Sequence, residues 1–187
     1  MKRPKLNTSN IIFIIGILLL IIPQTRQPIQ IFLHKGMALF GPSIVEESKR
    51  DKLTDYNWEL LSDTNEIFDF NEAKGKVIVI NFWATWCPPC IAEMPSLEAL
   101  YESYNEDVVF LFVSNEEPKV IQKFINKNKY SFQFHTPKAA NPKLFQVSSI
   151  PRTFIIDKSG YIVIDKTGAA NWNSEGVREQ LNNLIKE

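Results

Sequence analysis

At 187 residues, the chain has room for one domain of about 130–150 residues plus an appendage, and is short for two full-sized domains. With 44% hydrophobic and 22% charged residues, 11 Pro and 7 Gly, it is neither disordered nor collagen-like; two Cys and two His exclude a multi-cysteine disulfide scaffold and an iron–sulfur cluster. The formal charge is zero, yet residues 1–45 hold Lys2, Arg3, Lys5, Arg26 and Lys35 and no acid, so the remainder is mildly acidic and argues against nucleic acid as a partner.

Lys2, Arg3 and Lys5 precede an apolar run over residues 11–22, closed by Pro23. A basic segment before a short apolar run is the layout of a secretory targeting sequence. Two features predict retention: no small-x-small cleavage site follows the run, and no cysteine lies near it for lipid attachment. Twelve helical residues span about 18 Å against a bilayer core of roughly 30 Å, and counting from Leu6 brings the segment to the lower limit of a span. Residues 1–23 are therefore read as a signal anchor, with the amino terminus in the cytoplasm and the rest outside, on the periplasmic side. Residues 24–54 read as a juxtamembrane linker. Within it, 29–40 is a second apolar stretch interrupted by His34-Lys35-Gly36, which either lies on the membrane surface or forms a second short hydrophobic element. The charge-rich residues 46–52 read as solvated.

Residues 55–187 carry the folded domain. Residues 56–61 and 66–70 predict two short strands, and 73–76 a turn. Residues 77–83 are continuously β-branched and aromatic apart from Asn81, as expected of a central strand covered on both faces. A helix over 88–104 follows, then a strand over 108–113 and a helix over 118–129 with Pro118 in its first turn. After 131–135, where His135 reads as a strand-end residue, come a short helix near 142–146, strands at 152–156 and 161–164 joined by a turn, and a closing helix over 174–186. This order predicts a layered α/β sheet with helices on its faces. The phenylalanines at 110, 112, 124, 132, 134 and 154 read as core, and Trp83 and Trp86 as packing and groove-shaping residues.

Trp86-Cys87-Pro88-Pro89-Cys90 falls where the central strand gives way to a helix. Cys87 thus lies at a helix amino terminus, where unpaired N–H groups and the positive end of the helix dipole favour a thiolate, the species that attacks a disulfide. Cys90, one turn further in, can attack the resulting mixed disulfide and release the substrate. Pro88 and Pro89 fix the backbone and remove two donors, which helps set the redox balance. Two blander readings compete. Half a zinc site completed by His34 and His135 lacks a second cysteine pair, and a purely structural disulfide closing so short a ring gains little loop-closure entropy. No metal and no separate cofactor are expected.

Residues 76–93, which include Asn81-Phe82-Trp83-Ala84-Thr85-Trp86-Cys87-Pro88-Pro89-Cys90, followed by Met94-Pro95, closely resemble the thioredoxin-like family, and most of all the membrane-anchored TlpA/ResA branch of thiol-disulfide oxidoreductases. Residues 149–160, beginning Ser149-Ile150-Pro151-Arg152-Thr153, resemble that branch's cis-proline segment, strand and hairpin. The resemblance implies a thioredoxin fold, a central mixed sheet with helices on both faces, extended here by the extra amino-terminal strands. It implies Cys87 as nucleophile, Cys90 as resolving thiol, and Pro151, after a cis bond from Ile150, opposite the cysteines. Trp86, Pro88, Pro89, Ile150, Pro151 and Arg152 would line the substrate groove, and Glu93 would assist proton movement.

Two departures stand out. Asn81 replaces the buried Asp of ordinary thioredoxins, so Glu93 either takes over as proton acceptor or is an ordinary exposed helix residue. Arg152 replaces a common Thr, and either attracts an acidic substrate, or lowers the pKa of Cys87, or is a solvated edge residue. The expected activity is reduction of disulfides in other proteins outside the cytoplasm, apocytochromes being one class of substrate, with a membrane electron donor. An oxidant or isomerase and a low-turnover binding module are the alternatives; a peroxidase is disfavoured by the paired cysteines.

Overall fold

The structure is a computed structural model that describes residues 7–187; the basic start and Leu6, on which the anchor reading partly rests, lie outside them. Helix α1 (Thr8–Ile21) is apolar from Ile11 onward and buries none of its side chains. Helix α2 (Pro23–Met37) follows after Ile22, and the two axes meet at 88°. Among the described residues no single helix is long and apolar enough to cross a membrane, so the structure by itself does not establish the anchor.

Seven strands among the described residues form one mixed sheet: β1 (Glu59–Ser62), β2 (Ile67–Asp69), β3 (Val77–Phe82), β4 (Val108–Val113), β5 (Phe134–Pro137), β6 (Arg152–Ile156) and β7 (Ile162–Thr167). Their spatial order is β2-β1-β5-β4-β3-β6-β7. The β3–β4 and β4–β5 pairs are parallel and the others antiparallel. Three further helices complete the domain: α3 (Pro88–Tyr104), α4 (Pro118–Asn128) and α5 (Glu175–Lys186).

All six residues of β3 are buried, because both faces of this central strand are covered. The two coverings differ. Val77 and Val79 share a core with Met94 and Leu97 of α3, Ile121 and Ile125 of α4, and Leu181 and Leu184 of α5. Ile78 and Ile80 face a second core built from Leu53, Trp58, Phe70 and Phe145, which come from irregular chain and from short 3-10 turns at Phe70–Ala73 and Lys143–Phe145. The expectation of helices on both faces is thus corrected: α3, α4 and α5 contribute to one core, and aromatic side chains carried on turns fill the other. Trp58, Phe70 and Phe145 contact one another with ring centroids 5.6–5.9 Å apart, and an aromatic cluster can bury as much apolar surface as a helix face.

Other differences are local. Residues 56–58 are buried at Tyr56 and Trp58 without joining a strand. Strand β5 starts at Phe134 rather than 131, which places His135 inside it, paired with Val113 and Ser62. Strand β7 runs to Thr167. The side chains of residues 46–49 are exposed, but the backbone around them is tied to the sheet: Val45 N–H donates to Val163 O, Ile162 N–H to Asp51 O and Leu53 N–H to Gly160 O, at 2.8–2.9 Å.

Candidate active site

Strand β3 ends at Phe82, and the chain turns through residues 83–86 before α3 begins at Pro88. Glu116 fixes this turn, its carboxylate accepting the Thr85 N–H at 2.6 Å and the Thr85 hydroxyl at 2.7 Å. Trp83 packs inward between Phe124 and Phe132, whereas Trp86 is 64% exposed. Cys87 is the N-cap of α3 and is joined to Cys90 by a disulfide, with 5.3 Å between the Cα atoms.

The prolines give the site its electrostatics. Pro88 and Pro89 have no N–H, so the first helical amide able to reach the cap is that of Cys90, and it points at Cys87 Sγ across 3.3 Å. Both sulfur-bearing residues are buried: Cys87 keeps 3% of its surface exposed and Cys90 none. Cys87 is the more accessible of the two, as expected, but by a narrow margin.

The Ile150–Pro151 bond is cis, and the Ile150 carbonyl oxygen lies 3.8 Å from Cys87 Sγ. A cleft of about 240 Å³ opens beside this contact, walled by Trp86, Glu116, Asn141, Val147 and Ile150. Pro151 is buried, and Pro88, Pro89, Ile150 and Arg152 are half-buried. Arg152 forms a bidentate pair with Asp165 on the neighbouring strand, at 2.9 and 2.7 Å, and stacks over Phe154 with 4.8 Å to the ring centroid. Its guanidinium is thus occupied by β7, which favours the edge-residue reading over an action on Cys87. His34 and His135 belong to different parts of the fold, and no cluster of metal-ligating side chains occurs among the described residues.

Glu93 follows Cys90 by three residues, on the inner side of α3, and is wholly buried. That removes the reading of an exposed helix glutamate. Its Oε1 accepts from Asn81 Nδ2 at 3.0 Å, and its Oε2 from the Trp172 indole N–H at 2.9 Å and the Ala170 N–H at 3.2 Å. Asn81 also donates to Thr153 Oγ1 at 2.7 Å. Ser96 ties down the backbone: its hydroxyl donates to Glu93 O at 2.7 Å and accepts the Trp172 N–H at 3.1 Å. Burial raises the Glu93 pKa from an ordinary 4.5 to about 8, against the lowering pull of Trp172, Ala170, Asn81 and the Lys166 charge. Desolvation outweighs three donors here, so Glu93 is predominantly the neutral acid at pH 7.

Thr153, Ala170, Trp172 and Ser96 are members of this network that the sequence reading did not single out. The one available signal is Trp172 itself, a bulky residue in the otherwise small and polar stretch Gly168-Ala169-Ala170-Asn171-Trp172-Asn173-Ser174; a buried indole needs an acceptor. Trp172→Phe removes one donor from the ionised form and will move the Glu93 pKa further up. Titration of the Glu93 carboxyl carbon by NMR checks this, and an unmoved midpoint would show that Trp172 only packs.

The chain matches the AhpC/TSA family over residues 50–164. It is 34% identical over 133 residues to the thiol-disulfide oxidoreductase ResA of Halalkalibacterium halodurans, covering 70% of this chain and 74% of that one. It is 32% identical over 124 residues to the ResA protein of Bacillus thuringiensis, covering 64% and 67%. Among solved structures, one described as a putative thiol-disulfide oxidoreductase from Bacteroides vulgatus superposes with a TM-score of 0.57 at 32% identity, over 68% of this chain and 91% of that one. With a disulfide capping the helix that follows the central strand, the chain belongs to the AhpC/TSA family of thioredoxin-like proteins and, within it, to the thiol-disulfide oxidoreductases of the ResA type.

Proposed function

We propose that this oxidoreductase works outside the cytoplasm, held to the membrane through residues 1–23, and reduces disulfides in other proteins, apocytochromes among them. Residues 24–54 follow the anchor and lead into the catalytic domain over 55–187, their last part, from Val45, already tied to its sheet. The Cys87–Cys90 pair is the redox group, with no separate cofactor, and a membrane donor re-reduces it. The observation that carries the chemistry is the Cys90 N–H directed at Cys87 Sγ, which stabilises negative charge on Cys87 once the pair is reduced. The anchor rests on the exposed apolar length of α1 and the basic residues that precede it.

In the proposed cycle, Cys87 thiolate attacks one sulfur of a substrate disulfide. A mixed disulfide forms, and the displaced sulfur leaves as a thiolate that takes up a proton. Cys90 then loses its proton and attacks Cys87 Sγ, releasing the second substrate thiol, and the pair ends oxidised. Two electrons pass to the substrate. Trp86, Pro88, Pro89, Ile150 and Pro151 shape the groove in which the substrate chain lies, with Arg152 at its rim. Glu93 serves as a buried proton store. Its Oε2 already takes two N–H groups, so the acid proton belongs on Oε1, toward Asn81. Asn81 Oδ1 has no partner among the described residues, and a half-turn of the amide would present it as the acceptor.

The direction of electron flow is tested by the reduction potential. A value near about −270 mV or below is expected, together with turnover of insulin disulfides; a value near about −120 mV would make the protein an oxidant. The anchor is tested by mass measurement of protein extracted from membranes, which should give the full-length chain. A mature species beginning after residue 23 would remove it.

A further inference from the structure

Helix α2 is held to the domain on one side and bare on the other. On the domain side it packs against α3, and Ile31 and Lys35 share a cavity of about 570 Å³ with Thr85, Ile91 and Phe124. Thr85 and Ile91 flank the segment Cys87-Pro88-Pro89-Cys90, so α2 stands beside the redox pair. Past its end, Phe40 O accepts the Asn171 N–H at 2.8 Å, between the two residues whose N–H groups bind Glu93. On the other side, Leu33 and Met37 lie one turn apart on α2, and Phe40 follows three residues past its end. Leu33 and Met37 are exposed, and Phe40 is 75% exposed.

Charge and geometry select what covers this side. Residues 24–45, which the proposed anchor leaves outside the cytoplasm, carry Arg26 and Lys35 and no acid, so a second copy would bring like charges together, whereas an anionic lipid surface attracts them. Helix α1, with its exposed apolar surface, precedes α2 and meets it at 88°. That is the angle between a bilayer normal and the bilayer plane. We propose that α2 is a surface-lying membrane helix, its Leu33 and Met37, with Phe40 just past its end, sunk among anionic lipid headgroups, which holds the active-site end of α3 at the bilayer so that the enzyme acts on polypeptides displayed there. This rests on the anchor proposed above and adds an orientation to it.

Photo-crosslinking of the full-length chain tests both layers separately. p-Benzoylphenylalanine is placed singly at positions 13, 33 and 40, and the protein is irradiated in vesicles of phosphatidylcholine and phosphatidylglycerol. Lipid adducts at all three positions are expected. An adduct at position 13 alone would overturn the inference and leave the anchor standing; none at any position would overturn both. The functional arm uses Leu33→Glu with Phe40→Glu. The rate on a disulfide peptide tethered to the vesicles should fall roughly tenfold, through lost effective concentration, while the rate on the same peptide free in solution is unchanged. Equal losses on both peptides, or no loss on either, would overturn the orienting role.

Discussion

Cys90→Ser will accumulate mixed disulfides with substrate proteins, and Cys87→Ser will accumulate none. The N-cap position gives Cys87 what an attacking thiolate requires, an N–H directed at the sulfur and the positive end of α3. Cys90 sits within the first turn with no exposed surface, so it is reached from Cys87 and not from outside. Without it the first attack still proceeds, and the release step is lost. Both variants should therefore fail to turn over insulin, while only one carries substrate. Mass spectrometry of complexes prepared from membranes reads the difference and names the bound proteins. Equal trapping by the two variants, or none by either, would break the assignment of nucleophile and resolver.

Glu93→Gln should change both the stability profile and the exchange rate. The folded pKa of Glu93, about 8, lies above its ordinary 4.5. Between those values the folded chain holds a proton that the unfolded chain has released. Stability from this group is therefore complete below pH 4.5 and lost as pH rises toward 8, at up to about 1.4 kcal/mol per pH unit. His135 acts with the opposite sign. Burial lowers its pKa from 6.5 to about 4, so its contribution is complete above pH 6.5 and lost as pH falls toward 4.

The two effects oppose each other between about pH 4.5 and 6.5, and from 6.5 to 8 Glu93 acts without His135. Denaturant titrations across that upper window should show stability falling in the parent protein, by roughly 2 kcal/mol in all, and nearly level in Glu93→Gln. Disulfide exchange at neutral pH should slow by roughly 10²-fold, the scale of a lost acid–base group. Parallel stability profiles would contradict the raised pKa. Unchanged exchange kinetics from pH 6 to 9 would make Glu93 purely structural.

How much of this was legible in the sequence follows from where each signal resides. Helix α3 and strands β4 and β6 occur over the residues that the sequence predicts, since apolar runs and a proline start are local. The cysteine pair was equally legible, its spacing and placement being written in five consecutive residues. The environment of Glu93 was not. Its partners come from β3 and from residues 77 and 79 positions away, so a lone Glu among Ala92 and Met94 carries no mark of burial. Arg152 was ambiguous for the same reason: Asp165 reaches it only once β7 is paired in register, with Asp165 opposite Phe154. The second core was hidden because Trp58 and Phe70 read as strand residues and Phe145 as part of a short helix, and nothing local to those segments shows that irregular chain and 3-10 turns bring the three side chains together.

The backbone ties between residues 45–53 and the β6–β7 hairpin also bear on how copies of this protein behave when crowded. A sheet edge with free N–H and C=O groups is a template for pairing with a neighbouring molecule. Along β7 that template is partly occupied by the chain's own upstream segment at Val163 and Ile162, with Gly160 beside it. A covalently attached cover stays at high effective concentration and competes well with any intermolecular strand. The opposite edge, β2, is three residues long and ends at Asp69. Both borders of the sheet are thereby poor seeds for polymerisation, which permits dense packing of copies without edge-to-edge growth.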